Sequence, residues 1–518
     1  MKRIYRLLLI TLTLIYVATS CSDKNDLPKP AEKDIPLVSQ FVYDGLSMYY
    51  LWSDEMTSKK PSENDTDPIK YFRSVLYKTD TERNWSGITD NVDALMADFA
   101  GTSKTFGYSI GGFYQIDNNI YALIRYVFNN TPASEAGIER LDLIGKINGQ
   151  SISLQPGTNK ISQRDLDVLY GGNSATFTTY RLIDNKIVEN KEVEVTPRTT
   201  GTNPVLYSNI YALGDKKIGY LFYTNFIGNY NKDLFEVFST FKSEGVTDLI
   251  LDLRYNPGGG VSAASYLVSL FAPDKSVRGN TILTTLTYNK YLNNLFDENK
   301  WSRDTKLGNY RENNEPNPLD ANLDLDKIYI IATGRSASAS ELTTFCSRAI
   351  MGESNVVHIG EETSGKYTAS WTLHPYNSFD GKAQPIYKEE KLSTQQKEVF
   401  KNWAMQPIVA VYKDKDGKDF INPGYLEPDY ALEEGFGYLN LWKPLGDTKD
   451  VFLGQALYLI TGDESYKPVQ PKQTRSSRHK QIIEIKSTKD DPKPLIIDNI
   501  KLSAEDLDKI REMRTFND

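Results

Sequence analysis

Apolar residues recur three and four apart in "IPLVSQFVYDGLSMYYLW" (35–52), and "DPIKYFRSVLY" and "NVDALMADFA" carry the same helical period. These segments predict a small helical N-terminal domain over residues 36–100. The period then falls toward two. "IYALIRYVF" is rich in β-branched and aromatic residues and reads as a strand. "NNTPASEAGI" reads as a turn into a short helix ended by Gly137. "DLIGKINGQSI" reads as a strand, a tight Asn-Gly turn and a second strand, and "SATFTTYRLIDNKIVENKEVEVTP" as a hairpin. From about residue 205 the two periods alternate. "KIGYLFYTNF", "DLILDLRYNPGGG", "KIYIIATG" and "VVHIGEETSGK" read as strands. "NKDLFEVFSTFKSEG" sets Leu234, Val237, Phe238 and Phe241 on one helical face and stops at Gly245. "SAASYLVSLFA" and "SELTTFCSRAIMG" read as further helices. Such alternation implies a largely parallel sheet with helices packed on it. The regular pattern ends near 462, and a Lys- and Pro-rich, partly disordered tail over 464–518 closes with "LSAEDLDKIREMR", a capped terminal helix.

Composition narrows the class. The chain has 518 residues, enough for two to four domains, and is 39% hydrophobic and 25% charged, as a globular protein is. A net charge of −8 with no dominant basic patch argues against nucleic acid as a partner. Lys2, Arg3 and Arg6 precede "LLLITLTLIYVA", an apolar stretch too short for a good membrane span, and then "ATSC". This reads as a lipoprotein signal peptide over 1–20, with Cys21 lipid-modified, followed by a polar tether over 21–35. The expected location is the cell envelope, with the chain held at a membrane through Cys21. Lipidation would leave Cys346 as the one free thiol, so the folded part must stand without an internal disulfide.

The chemistry is sought where α/β sheets bind ligands, beyond the carboxyl ends of their strands. Three loops there are unusual: "RYNPGGG", "GRSASASE" and "GEETSGK". A serine at a sharp strand-to-helix bend points its hydroxyl out of the sheet edge, and the next N–H comes free at the helix N-terminus. Ser338-x-x-Glu341 is equally a capping box, so on this segment alone capping and catalysis both account for the serine. Glycines 258–260 make a tight turn or let backbone N–H groups approach a substrate. The three histidines offer little as a base, though spacing leaves His374 open: His358 lies in the apolar "VVHIG", His374 in "WTLHP" and His479 in the tail. A lysine can serve if burial leaves its amine neutral, and Lys366 follows the turn "EETSG" in the same layer of loops. No cluster has metal-ligand spacing, and neither metal nor cofactor is expected.

Two resemblances join these observations. "TPASEAGIERLDLIGKING", within 104–197, resembles a PDZ domain of the bacterial protease-associated type, with Leu141-Asp142 where Gly-Asp is usual. In it Phe106, Gly107, Tyr108, Ser109 and Ile110 would form the carboxylate-binding loop that caps a peptide C-terminus. "DLILDLRYNPGGG", "GRSASASE" and "GEETSGK", in this order behind such a domain, resemble the carboxyl-terminal processing (tail-specific) proteases, peptidase family S41. The resemblance implies a multidomain α/β fold, with a crotonase-like α/β catalytic core over 205–463 behind the PDZ-like β-rich domain. It also implies a Ser-Lys endopeptidase that cuts exported proteins or peptides near accessible C-termini. Ser338 matches the nucleophile and Lys366 the general base. The N–H groups of Ala339 and of Gly259, or else Gly258, match the oxyanion hole. Many members carry Gln four residues after the lysine; Ser370 stands there, the candidate orienting residue. That departure keeps open a catalytically silent, peptide-binding surface lipoprotein. The anchor and the 33 tyrosines keep open a binding protein for nutrient uptake.

Overall fold

In the computed structural model, residues 35–183, 186–308, 315–434, 442–468, 483–485 and 503–512 are described. The signal peptide, Cys21, the tether up to residue 34 and His479 lie outside them. The strand Lys216–Tyr223 is buried from Ile218 onward, and Asp248–Asp252, Ile328–Ala332 and Val356–Gly360 are buried throughout save Asp248, as strands covered on both faces are. They run parallel in one six-stranded sheet, ordered Val205–Leu213, Lys216–Tyr223, Asp248–Asp252, Ile328–Ala332, Val356–Gly360, Tyr430–Ala431. The first strand of the order is antiparallel to the second. Helices Asn231–Glu244, Val261–Phe271 and Ala339–Met351 pack into the core on one face; Val451–Thr461 packs into that on the other. In Asn231–Glu244 the predicted face buries Leu234, Phe238 and Phe241, Val237 stays at its margin, and Gly245 ends the helix at φ +73°.

The N-terminal helices share their buried cluster with the α/β unit. Residues 36–100 build no core of their own. In the helix Leu37–Tyr49, ten of thirteen residues are buried, more than a single apolar stripe supplies. Its side chains join those of the α/β unit in one cluster: Tyr49 packs on Trp371, with ring centroids 5.4 Å apart. The strand Gly87–Thr89 pairs with Ala404–Gln406, more than three hundred residues onward. Helical periodicity shows that a face is buried but not against what.

Between these parts lies a β-rich unit. Tyr108–Ile116, Asn119–Val127, Leu143–Ile147, Ala175–Ile183 and Lys186–Val195 form an antiparallel sheet, with Gln150–Ser151 paired to Leu143–Ile147. The Asn-Gly turn is made as read: Asn148 and Gly149 both take positive φ, +50° and +75°. The tail, read as having only a terminal helix, also adds Ile483–Ile485 to the open edge of Tyr108–Ile116. Three residues pairing across a gap of several hundred leave no periodic trace. A further four-stranded sheet, Asp304–Lys306, Ile282–Tyr288, Ile408–Lys413 and Thr368–Ser370, joins strands remote from one another in the chain, which local periodicity does not report.

Candidate active site

The three loops do meet. Asn256 fixes the first against the second: its carbonyl accepts from Ala337 N–H at 3.1 Å and from Ser340 Oγ at 2.8 Å. Ser336 Oγ donates to the Leu253 carbonyl at 2.7 Å, so both serines flanking Ser338 are spent on holding the bend. Arg254, before the glycines, is buried in a charge network, bidentate to Asp450 at 2.8 Å on each arm and bonded to Asp252 and Glu434. Each charge there has an opposite partner, which is the condition for burying it.

Ser338 sits at the bend with φ +62° and ψ −116°, outside the regions that an L-residue ordinarily occupies. Strained strand-to-helix turns of this kind carry exposed nucleophiles in other hydrolases. The side chain is wholly buried, and Oγ has no hydrogen-bond partner. The hydroxyl lies where a capping box would place it, beside the Glu341 N–H, without making that bond. The reciprocal half is made: Ser338 N–H donates to Glu341 Oε2 at 2.7 Å.

That carboxylate does more than cap. Oε2 also accepts from Lys366 N–H at 2.8 Å, and Oε1 accepts from Gly365 N–H at 2.7 Å and from Thr363 Oγ1 at 2.5 Å. Four donors converging on two oxygens call for the ionised, acceptor-only form. Burial pushes the Glu341 carboxyl up from the usual range, and the four donors act against that. On the opposite side, Tyr412 Oη faces the Ser338 carbonyl at 3.3 Å and the Lys366 carbonyl at 3.1 Å. One residue thus bridges the amides of the two predicted catalytic residues, and another bridges their carbonyls. Lys366 itself is wholly buried.

Comparison with known proteins decides the family. The sequence profile of peptidase family S41 matches residues 217–432, and that of the peptidase S41 N-terminal domain matches 38–87. The chain belongs to peptidase family S41. A carboxyl-terminal-processing protease of Picosynechococcus sp. is 22% identical over 335 residues, 65% of this chain and 66% of that protein. The carboxy-terminal processing protease CtpA of Bacillus subtilis is 25% identical over 313 residues, 60% of this chain and 57% of that protein. The chain thus spans somewhat less than two thirds of the length of these curated relatives. Among solved structures, one described as a candidate S41 protease from Bacteroides fragilis superposes with TM-score 0.63 at 23% identity, covering 82% of this chain and 97% of that one. That likeness is one of fold.

Within the S41 core, the other predicted residues fall as follows. Ala339 opens the helix Ala339–Met351, so its N–H is among those a helix leaves without an internal acceptor. The N–H of Gly258 donates to Asn256 Oδ1 at 2.8 Å, which removes it as an oxyanion donor. Its contribution is space: a Cβ there would stand 2.7 Å from Ser338 Cβ, at a φ of +106°. Gly260 N–H is bonded to the Phe226 carbonyl at 2.8 Å, so Gly259 is the glycine of the run to consider with Ala339. Ser370 is buried at the end of the strand Thr368–Ser370. Thr368, alternate to Ser370 and two residues from Lys366, also buries an Oγ1 without a partner, and the sequence reading passed it over.

His358 and His374, the histidines among the described residues, are committed elsewhere. His358 faces the Glu427 and Ala332 carbonyls at 3.1 and 3.3 Å, and burial lowers its pKa to about 4. His374 Nδ1 accepts from the Tyr376 and Asn377 N–H groups at 3.1 and 2.8 Å; burial likewise lowers it to about 4. Among the described residues no group of three or more His, Cys, Asp or Glu side chains could hold a metal ion. In the β-rich unit, the loop leading from Phe106 into Tyr108–Ile116 turns at Gly107, φ +92°, where a Cβ would meet Thr131 Cβ at 2.2 Å. Tyr108 Oη donates to the Leu169 carbonyl at 2.8 Å, tying the strand to the end of the helix Gln163–Leu169. Ser109 pairs with Tyr126 in the sheet, and the Ile110 carbonyl accepts from Arg125 Nη2 at 2.8 Å. One residue onward, the Gly111 carbonyl accepts from Arg335 Nη2 at 3.0 Å. Arg335 stands three residues before Ser338, so this bond joins the strand edge to the bend that carries Ser338.

Proposed function

We propose that this chain is a serine endopeptidase of the Ser-Lys type that cleaves exported proteins or peptides near their C-termini. Its core is crotonase-like, and the β-rich unit is a PDZ-like module that docks the substrate's tail. The observation that carries the reading is Ser338: strained at a strand-to-helix bend, buried, its hydroxyl unpartnered, its backbone tied to that of Lys366 through one carboxylate. Ser338 Oγ attacks the scissile carbonyl carbon while neutral Lys366 takes its proton. The oxyanion receives the N–H groups of Ala339 and Gly259. The C–N bond then breaks, Lys366 returns the proton to the leaving amine, and water, deprotonated by the same lysine, hydrolyses the acyl-enzyme. Thr368 or Ser370 orients the lysine amine in place of the family's usual Gln. Lipidation at Cys21 would hold this activity at the cell envelope.

Ser338→Ala and Lys366→Ala should each abolish proteolysis without loss of fold; full activity in both would refute the assignment. One observation favours the silent, peptide-binding reading: Ser370 stands where many members of the family carry Gln. Incubation with a serine-directed phosphonate separates the two, since a covalent adduct on Ser338 by mass spectrometry excludes silence. Labelling with a lipid precursor should be lost in Cys21→Ala; retained labelling would move the anchor.

A further inference from the structure

The edge of Tyr108–Ile116 that faces away from its neighbour in the sheet is the edge to which a docked peptide would add as a strand. In this chain it is already occupied. Ile483, Glu484 and Ile485 pair antiparallel with Gln115, Tyr114 and Phe113. As the tail's numbering rises its partners' falls, so the segment heads toward the loop at 106–110, the direction that a docked C-terminal peptide takes. Ile485 is 6% exposed and belongs to the same apolar cluster as Phe106, Phe113, Leu166 and Phe177. Further along the chain, the helix Ala504–Glu512 is fastened to the α/β unit. Asp508 pairs with Lys388 at 2.8 Å, Arg511 donates to the Pro385 carbonyl at 2.8 Å, and Ile510 is fully buried in the main core. Two anchors therefore bracket the tail.

We propose that residues 483–485 are an internal occupant of the strand-addition edge, competing with the extended tail of an incoming peptide for the same backbone groups. This rests on the docking role given above to the β-rich unit. A ladder of three residues is weak by itself, but a tethered segment acts at an effective concentration on the order of millimolar. An incoming peptide must displace it, and its apparent affinity falls by the fraction of molecules with the edge open. The occupant also touches the route to the site. Glu484 lies near enough to Arg335 for its charge to oppose the effect of burial on that guanidinium, and Arg335 holds the Gly111 carbonyl of the docking strand. Displacing the tail removes a carboxylate from beside the arginine that leads into Ser338.

The test uses the full chain carrying Ser338→Ala, so that nothing is cleaved, and a fluorescein-labelled peptide of residues 478–485 ending in a free carboxylate at Ile485. Fluorescence anisotropy should show Ile485→Asp binding this probe at least about tenfold more tightly than the parent, because the edge is vacated. A second variant guards against misfolding of the first. Gln115→Cys with Ile483→Cys, a registered pair, should lose binding when oxidised and regain the parent's affinity when reduced. Equal binding by the parent, Ile485→Asp and the oxidised pair overturns the competition and leaves the docking role intact. No binding by any of them overturns both. Neither result bears on Ser338 chemistry, which the phosphonate adduct reads separately.

Discussion

Glu341→Gln removes one charge and almost no volume, and it reads out what the buried carboxylate does. Oε1 and Oε2 each receive two donors, Thr363 Oγ1 with Gly365 N–H and Ser338 N–H with Lys366 N–H. An amide keeps one oxygen and turns its NH2 toward the other pair. Two charge-assisted bonds are lost and two donors are left facing donors in a site closed to water. At about 1.5–3 kcal/mol for each such bond, the expected loss of stability is about 3–6 kcal/mol. Denaturant unfolding monitored on the tryptophans would measure it.

The effect on chemistry is separable from that on stability. Among the described residues, this carboxylate links the backbones of Ser338 and Lys366 on their N–H side, and Tyr412 links them on the carbonyl side. If either N–H turns away from the amide of the variant, the loops separate, and a misplacement of about 1 Å costs on the order of a hundredfold in rate. Phosphonate labelling of Ser338 in protein verified as folded should slow by about that factor. Wild-type labelling together with an unchanged unfolding midpoint would refute the reasoning, because it would mean the four bonds neither hold the fold nor set the spacing.

Gly258→Ala should cut labelling at Ser338 by more than about a hundredfold, since its Cβ would stand 2.7 Å from that of Ser338 and at a φ of +106°; an active variant would show that the bend can yield. His358 should make the fold acid-sensitive. Its folded pKa of about 4 lies below the unfolded 6.5, so the unfolded chain takes up the proton first and stability falls as pH drops through that window. The loss from this residue is about 3 kcal/mol at full extent, and the pH dependence of unfolding should flatten between those limits in His358→Gln; an unchanged slope would place the sensitivity elsewhere.

What could be read from the sequence was whatever a local period or a fixed spacing encodes. The parallel strands, the Asn-Gly hairpin and the stop at Gly245 follow from short local runs, and the order of the three loops gave the family. The reading failed where partners are distant and short. The helix Leu37–Tyr49 showed its period but not that Trp371 and Met405 would cover it. Strands of three residues, Gly87–Thr89, Thr368–Ser370 and Ile483–Ile485, exist only because a remote edge pairs with them. Glu341 is the instructive case. Its spacing from Ser338 correctly marked a capping pair, but no spacing rule reports that the same carboxylate collects donors 22 to 25 residues downstream.

Capping and nucleophilic catalysis are alternative accounts of Ser338, and the geometry is compatible with both. A capping serine spends its hydroxyl on the helix N-terminus. Here Glu341 takes the Ser338 N–H, while the hydroxyl makes no bond, so half of the motif survives and holds the backbone of the bend. The strain at φ +62° can persist because the surroundings over-determine it: Ser336 and Ser340 are bonded to the first loop, Glu341 to the third, and Tyr412 reaches two carbonyls. A buried hydroxyl without a partner costs about 1–3 kcal/mol relative to a satisfied one, and nothing in helix capping would maintain that cost. On the proposed reading, a bend held by so many bonds, with the Ser338 hydroxyl left idle, is organised around an interaction made only when a substrate arrives.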